Sequence, residues 1–398
     1  KGEDWAFGGG GDDLIDGGDD NDVLMGEAGN DILLGGLGDD ILAGDSPDVP
    51  LAFQGDDWLD GGAGKDTLFG DAGDDVLIGG KGLDTIYGGA GRDTYIFNKG
   101  DGVDKIYDAD DGPDKSIMVF GEGFDKNSIT LRCGSLLLDM GNGDAIHIEN
   151  WDQANPLATQ TFASFQFADG SSLSWNELLQ RGFDLDGTDG DDTIVGTGLE
   201  DRIDGRAGND LIFGLDGNDT ITGGLGTDAM NGGLGDDTYV FRTGDSATED
   251  GTEAGAAETL LDDGGSDTIR FAAGIDAQNL VLIDNLDGSL VIDYSAVGQP
   301  LDRLLIDHGL SGAVENYKVG AGTTARTFGS TQFIGEFGSG IYSGTDAAGL
   351  RHLTGGKTAD SLYSTGPSTG SGQAGATVSG GRGNDTLTVY GASNILRY

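Results

Sequence analysis

The sequence predicts an all-β repeat protein: tandem blocks of nine-residue repeats separated by small antiparallel β modules. Three observations carry this. Residues 61–89 divide into nines as GGAGKDTLF, GDAGDDVLI and GGKGLDTIY, each a glycine-rich turn with aspartate at position six and an aliphatic residue at position eight. Two blocks of this kind end on nearly the same signature, RDTYIF at 92–97 and DDTYVF at 236–241. Each block is followed by a segment in which short aliphatic or β-branched runs alternate with Gly, Asn and Asp turns.

In chain order, KGEDWAF fits positions three to nine of a nonapeptide, so the sequence reads as starting inside a repeat of something longer. Block 1, residues 1–96, has units starting at Gly8, Gly17, Gly26, Gly35 and Gly44. SPDVPLAFQ then inserts at 46–54, Gly55 and Asp57 resume the register, and units follow from Gly61, Gly70, Gly79 and Gly88. Module 1, residues 97–186, contains DMGNGDAIHI, which reads as a hairpin. It also contains WNELLQRG, 175–182, a short helix with Ser174 as N-cap and Gly182 as stop. Block 2, residues 187–240, runs without slip from Gly187, Gly196, Gly205, Gly214, Gly223 and Gly232. Module 2, residues 241–322, holds a second hairpin, DNLDGSLVIDY. From 323 to 398 Gly, Ser, Thr and Ala prevail, and GGKTADSLY at 355–363 and GGRGNDTLT at 380–388 mark a degenerate third block.

Composition narrows the partners. Among 398 residues, 70 Asp and Glu face 21 Lys and Arg, a formal charge of -49 that repels nucleic acid and anionic membrane and calls for cations. Such a composition alone suits a disordered chain, but disorder does not hold an aliphatic residue in register through successive repeats. The single cysteine, Cys133, excludes an internal disulfide, and no apolar run is long enough to span a bilayer.

The nonapeptide itself specifies the cation. Glycines at positions one, two and four permit positive φ and let carbonyl oxygens converge on one spot. At position one these are Gly8, Gly17, Gly26, Gly35, Gly61, Gly70, Gly79, Gly205, Gly214 and Gly223; at two, Gly9, Gly18, Gly36, Gly62, Gly80 and Gly224; at four, Gly11, Gly29, Gly38, Gly64, Gly73, Gly82, Gly208, Gly217 and Gly226. Carboxylates at position six join them: Asp4, Asp13, Asp22, Asp31, Asp40, Asp57, Asp66, Asp75, Asp84 and Asp93 in block 1; Asp192, Asp201, Asp210, Asp219, Asp228 and Asp237 in block 2; and Asp385 in the third. An all-oxygen cage of this kind suits Ca2+ rather than Mg2+ or Zn2+. Thiolate is absent from it, and the three histidines, His147, His308 and His352, stand far apart in sequence. The acidic run Asp101, Asp104, Asp108, Asp110 and Asp111 is a second candidate site, where module 1 meets its block. The position-five residues Asp12, Asn21, Asn30, Asp39, Asn209 and Asn218 read as solvated turn positions, and Tyr95 and Tyr239, at position eight of each last unit, as packing that closes the block.

These repeats resemble the RTX (repeats-in-toxin) haemolysin-type calcium-binding nonapeptide repeats of bacteria. The modules resemble the domain that flanks such repeats, through GDGVDKI, FGEGF and FADGSSLSW in the first and GDSATEDG and FAAGI in the second. The resemblance implies right-handed parallel β-rolls with two nonapeptides per coil, the first six residues a turn and the last three a strand, and calcium between turns stacked on one side. Asp13 would then share an ion with Asp31, Asp22 with Asp40, Asp192 with Asp210, and Asp201 with Asp219. It also implies a calcium-binding region of a large secreted protein that leaves the cell through type I secretion machinery and folds on Ca2+ outside. Two alternatives stand beside this: the repeat region of an adhesin or surface-layer protein, with cell-surface or glycan ligands, and the accessory part of an enzyme or toxin whose catalytic domain lies elsewhere. Departures from the pattern, Asp20 and Leu199 at position four and the insertion at 46–54, put the adjacent sites in question.

No catalytic reading competes. GPSTG at 366–370 matches a nucleophile elbow by letter, but a Gly, Ser and Thr tract supplies neither the strand before the serine nor the helix after it. No HExxH occurs.

Overall fold

A computed structural model describes residues 2–108, 115–133, 135–158, 160–246, 257–273, 275, 280–284, 290–294, 302–306, 316–319, 326–329, 341–345, 351–355, 361–365, 376–379, 386–390 and 395–397. The chain forms two compact units, Lys1–Asp184 and Leu185–Tyr398.

In the first unit, successive nonapeptides alternate between two parallel sheets. One stacks Trp5–Gly10, Val23–Ala28, Ile41–Asp45, Thr67–Ala72 and Thr85–Ala90. The other stacks Leu14–Asp19, Ile32–Leu37, Trp58–Gly64, Val76–Gly82 and Thr94–Phe97. The aliphatic at position eight sets this order, because it is the one apolar side chain that each nonapeptide places in the core. Leu24 pairs with Leu42, Leu42 with Leu68 and Leu68 with Ile86; opposite them Ile15 pairs with Leu33, Leu33 with Leu59 and Leu59 with Leu77. Leu24, Leu33, Leu42, Leu59, Leu68 and Leu77 have no exposed surface. Pairing runs past position nine into the next unit, as between Gly36 and Gly62, so the strands are longer than a six-plus-three division implies. The insertion folds outward around a 3-10 turn, Leu51–Phe53, and the stacking closes beneath it.

The roll does not stop at the boundary expected after residue 96. Val103–Tyr107 and Ser116–Phe120 add parallel strands to the two sheets, followed by Asp144–Ile148 and Phe162–Phe167. Only then come antiparallel pairs: the expected hairpin, Leu136–Gly141 with Asp144–Ile148, turns through Asn142 and Gly143 at φ 58° and 92°. Along one core ladder the residues change from Leu77 to Tyr95, Met118 and Phe165, so the aliphatic stack ends in aromatic packing. Tyr95 meets Phe162 edge-on at 5.5 Å, and Trp175 stacks on Phe165 at 6.1 Å. Trp175 opens the expected helix, Trp175–Leu179, where Ser174 and Glu177 form a capping box and Trp175, Leu178 and Leu179 are buried.

The second unit repeats the plan. Ile194, Ile212, Met230, Leu260 and Ile306 form one core ladder, and Ile203, Ile221, Tyr239, Ile269 and Tyr317 the other. Here too, parallel strands continue past residue 240 before the antiparallel pairs Val281–Asp284 with Leu290–Asp293 and Asn316–Val319 with Arg326–Gly329. In the third block, Ser361–Thr365 pairs in parallel with Thr386–Tyr390, aligning Leu362 with Leu387, the position-eight residues of its two recognisable repeats.

Candidate metal centre

Stacking places each position-six aspartate directly over the turn of the preceding coil. Its Oδ1 accepts the backbone N–H of the position-six residue one coil earlier: Asp22 from Asp4, Asp31 from Asp13 and Asp40 from Asp22, each at 2.7 Å and 18 residues apart. Across the insertion the spacing becomes 26 residues, yet Asp57 still accepts from Asp31 at 2.7 Å and Asp66 from Asp40 at 2.8 Å. The ladder goes on through Asp75, Asp84 and Asp93, and in the second unit through Asp210, Asp219, Asp228 and Asp237. Sites beside the insertion, in question from the sequence, thus keep their geometry.

The second oxygen is left without a partner. Oδ2 of Asp13, Asp22, Asp31, Asp40, Asp57, Asp66, Asp75, Asp84, Asp210, Asp219, Asp228 and Asp237 is buried with no hydrogen-bond partner. A buried carboxylate oxygen without a partner is costly, so a repeated row of them marks a place for a cation. The glycine at position one keeps that place open. A Cβ on Gly61 would stand 2.6 Å from both Asp66 Oδ2 and the carbonyl oxygen of Gly79, and one on Gly8 would stand 2.7 Å from Asp13 Oδ2 and 2.8 Å from the carbonyl of Gly26. The cradles of Asp13, Asp22, Asp31, Asp40, Asp57, Asp66, Asp75, Asp210 and Asp219 therefore combine the orphaned carboxylate oxygen of one turn with the position-one carbonyl of the next coil. Positions two and four supply the shape: Gly62 and Gly64 have φ of +97° and +154°. The donor set is entirely oxygen and fits Ca2+.

Burial dominates the electrostatics. It pushes Asp57 and Asp66 up to about 7, Asp219 to about 8 and Asp75 to about 9, with neighbouring ladder carboxylates raising each further. Within the roll, then, these groups need either a proton or a cation.

Two expected ligands stand apart. Asp192 Oδ2 accepts the N–H and hydroxyl of Thr188 at 2.6 and 2.8 Å, and Asp201 Oδ2 accepts the N–H of Thr197 at 2.6 Å. Both threonines occupy position two, where a β-branched residue disfavours positive φ, and these turns close on their own aspartates. The pairs Asp192 with Asp210 and Asp201 with Asp219 still stack, through Oδ1 of Asp210 and Asp219. Asp20, by contrast, takes the left-handed conformation at φ 82° in place of a glycine. Asp385 lies outside the described residues, as do Asp110, Asp111 and the GPSTG stretch.

Among the described residues of the acidic run in module 1, Asp101, Asp104 and Asp108 do not form one cluster. Asp104 joins the ladder, accepting from Asp84 N–H at 3.0 Å, Asp101 accepts from Asn98 N–H at 2.6 Å, and Asp108 faces the Tyr95 hydroxyl. Position five carries more than a solvated turn. Asp12, Asn21, Asp39, Asp56 and Asp74 are exposed, but each accepts the position-five N–H of the following coil at 2.8–3.0 Å, a second ladder running opposite to the first. The sequence reading also missed the ladder members beyond each block, Asp104, Glu258 and Asp267, the last two accepting from Asp228 and Asp237 at 2.8 and 2.9 Å. Their signal was present in GDGVDKI and GGSDTI, which keep the aspartate at six and the aliphatic at eight.

Comparison with known proteins identifies the repeats by their sequence. The description RTX calcium-binding nonapeptide repeat (4 copies) fits residues 1–33, 16–46, 52–84, 69–104, 186–220, 204–239 and 371–397. No curated protein sequence matches the chain. Among solved structures, a subunit of the Azotobacter vinelandii mannuronan C5-epimerase is 30% identical over 30% of this chain and 72% of its own, with a TM-score of 0.24. The extracellular lipase of Serratia marcescens is 16% identical over 71% of this chain and 38% of its own, with a TM-score of 0.23. This chain thus spans less than half of the lipase. Through residues 1–46, 52–104, 186–239 and 371–397, which carry the ladder and its cradles, the chain belongs to the RTX calcium-binding nonapeptide repeat proteins.

Proposed function

We propose that this chain is the calcium-folded region of a large secreted bacterial protein, exported unfolded by type I secretion machinery and closed into rolls by extracellular Ca2+. The row of buried, partnerless Oδ2 atoms carries this reading, those of Asp13, Asp22, Asp31, Asp40, Asp57, Asp66, Asp75, Asp210 and Asp219 facing a glycine carbonyl of the next coil. Asp13, Asp22, Asp31, Asp40, Asp57, Asp66, Asp75 and Asp84 would hold the ions in the first unit, and Asp210, Asp219, Asp228 and Asp237 in the second. Bound Ca2+ supplies the positive charge that lets these carboxylates stay ionised at the spacing of about 4.8 Å set by the strands. Two unit charges about 4 Å apart at an effective dielectric of 20 repel by roughly 4 kcal/mol, which one buried aliphatic side chain per nonapeptide does not offset once the glycine-rich backbone is ordered. Folding and ion binding are therefore one event.

The Thr188 and Thr197 turns give the second roll a first coil whose two aspartates are already satisfied, a start from which the calcium-dependent coils can grow. Extracellular calcium modules bind at about 10^-4 to 10^-3 M, whereas cytosolic calcium is far lower. The test is limited proteolysis of the full chain at cytosolic and at extracellular free Ca2+. The account expects rapid digestion in the first and resistant fragments of roll size in the second; equal digestion in both would refute it.

A further inference from the structure

The outer face of one sheet in the first unit is apolar and open. Each strand of the roll turns position eight into the core and positions seven and nine outward. On Trp5–Gly10, Val23–Ala28, Ile41–Asp45, Thr67–Ala72 and Thr85–Ala90, position seven is Trp5, Val23, Ile41, Thr67 and Thr85. Position nine is Phe7, Met25, Ala43, Phe69 and Tyr87. The parallel register sets them in two continuous rows, and none is charged, in a chain where 23% of residues are. None is buried; Trp5, Phe7 and Ile41 are 70%, 55% and 43% exposed.

The repeat itself does not demand this. The other sheet of the same roll carries Asp16 and Asp60 at position nine, and one sheet of the second roll carries Arg202, Asp204, Thr220 and Thr238 at seven and nine. Charge returns at the margins of the strip. Asp39, on a turn entering these strands, and Asp12, Asp56 and Asp74, on turns leaving them, are exposed. An uncharged strip between charged margins is the layout of a protein interface, apolar at its centre and polar at its rim.

We propose that this face pairs with the same face of a second copy of the chain once the roll has closed. The inference rests on the calcium-folding reading above. The strip leaves on the order of 600 Å2 of side chain open, taking aromatic side chains at about 150–250 Å2 each. Pairing two copies therefore buries roughly 1,200 Å2, the lower bound for a specific interface, which makes the dimer reversible. Sheets pack face to face at about 10 Å, beyond the screening length of about 8 Å in physiological salt, so the acidic margins of two copies oppose the pairing only weakly. A sugar chain fits the strip poorly. Phe69, Tyr87 and Tyr107 stack on one another with centroids 4.9 and 4.8 Å apart and planes 6° and 14° apart, so their faces are covered and their edges point outward.

Sedimentation velocity of the full chain in millimolar Ca2+, from about 1 to 100 µM, tests the pairing, with circular dichroism on the same samples. The wild type should move from the monomer mass toward twice that mass across the range. Ile41→Lys puts a charge at position seven, where Arg202 already stands, so the β spectrum should persist while the dimer weakens by at least about tenfold. Trp58→Lys, on the opposite sheet, should leave the dimer intact. A coil spectrum in Ca2+ sinks the calcium-folding reading and the pairing with it. A β spectrum with a monomer at every concentration leaves that reading standing and overturns the pairing, and so does a dimer that Ile41→Lys does not weaken. A monomer that floats with phosphatidylcholine vesicles also overturns it and assigns the strip to lipid. Should Ile41→Lys lose its β spectrum, Thr67→Lys, one strand along the same row, is read in the same way.

Discussion

Replacing Asp75 with asparagine should stabilise the ion-free roll far more than the calcium-loaded one. Asp75 Oδ1 accepts the N–H of Asp57 at 2.8 Å, a role the asparagine oxygen can keep, while Oδ2 faces the cradle of Gly70 and the Gly88 carbonyl. Burial, followed by the charges of Asp93 and Asp57, lifts its carboxyl from 3.8 to about 9. A carboxyl raised in this way favours the ion-free fold below its unfolded pKa and loses that contribution as pH rises through the folded value. At pH 7 the ion-free roll therefore has to hold a proton on Asp75, at a cost on the order of 4 kcal/mol relative to the unfolded chain. Asparagine removes that cost and one ion's ligand together. In chelator, with trimethylamine N-oxide added to drive compaction, the variant should reach the folded β spectrum at lower osmolyte concentration, by an amount approaching about 4 kcal/mol. At free Ca2+ of about ten times the dissociation constant the wild type recovers only about 1.4 kcal/mol, the linkage energy of the site the variant lacks, so the variant's advantage should shrink to about 2.6 kcal/mol. Circular dichroism under both conditions is the assay. Destabilisation of equal size in both would show that Asp75 acts only through packing and its hydrogen bond, and would refute the argument.

Three further outcomes follow from the same geometry. Asp31→Ala should lower the number of bound calcium ions, whereas Asp12→Ala should leave the number intact and cost about 0.5–1.5 kcal/mol through the lost bond to Asn30 N–H, checked by ion counting and denaturation. Because burial holds Asp57 and Asp66 near 7 and Asp219 near 8, acid should favour the ion-free rolls in chelator between about pH 8 and 4 while raising the calcium needed for folding, since ions and protons compete for the same oxygens; a calcium midpoint independent of pH from 8 to 6 would contradict this. Residues 187–320 should fold at lower Ca2+ and more steeply than residues 187–240, which lack the strands that cover Tyr239 and Met230. Equal midpoints and slopes would make the modules spacers and turn attention to surface or glycan ligands.

The roll was legible because the nonapeptide ties one property to each position. Register at Leu24, Leu42 and Leu68 follows from spacing alone, and so does the stacking of Asp13 beneath Asp31. The helix at Trp175 was legible from its N-cap, Ser174, and its stop, Gly182, while the capping box with Glu177 came from the structure. What the spacing could not show was where the roll ends. Val103–Tyr107 and Thr268–Phe271 sit in loops of irregular length, so the period breaks in the sequence while the parallel stacking continues in space. Nor did the pattern show that Asp192 and Asp201 differ from the rest, because the difference lies in Thr188 and Thr197 at a position where glycine reads as mere flexibility. The opposed ladder at position five was hidden for a similar reason: an exposed Asp or Asn in a turn has an ordinary explanation, and only stacking reveals its bond to the next coil.

The most direct test of the central claim is the far-ultraviolet circular dichroism spectrum of the full chain in chelator, in millimolar Ca2+ and in equimolar Mg2+. If the partnerless Oδ2 atoms and glycine carbonyls are calcium cradles, the chain should be mostly coil in chelator, become β-rich on adding Ca2+, and stay coil with Mg2+, whose smaller octahedral shell the cradles do not suit. A β spectrum that chelator leaves unchanged would contradict the account.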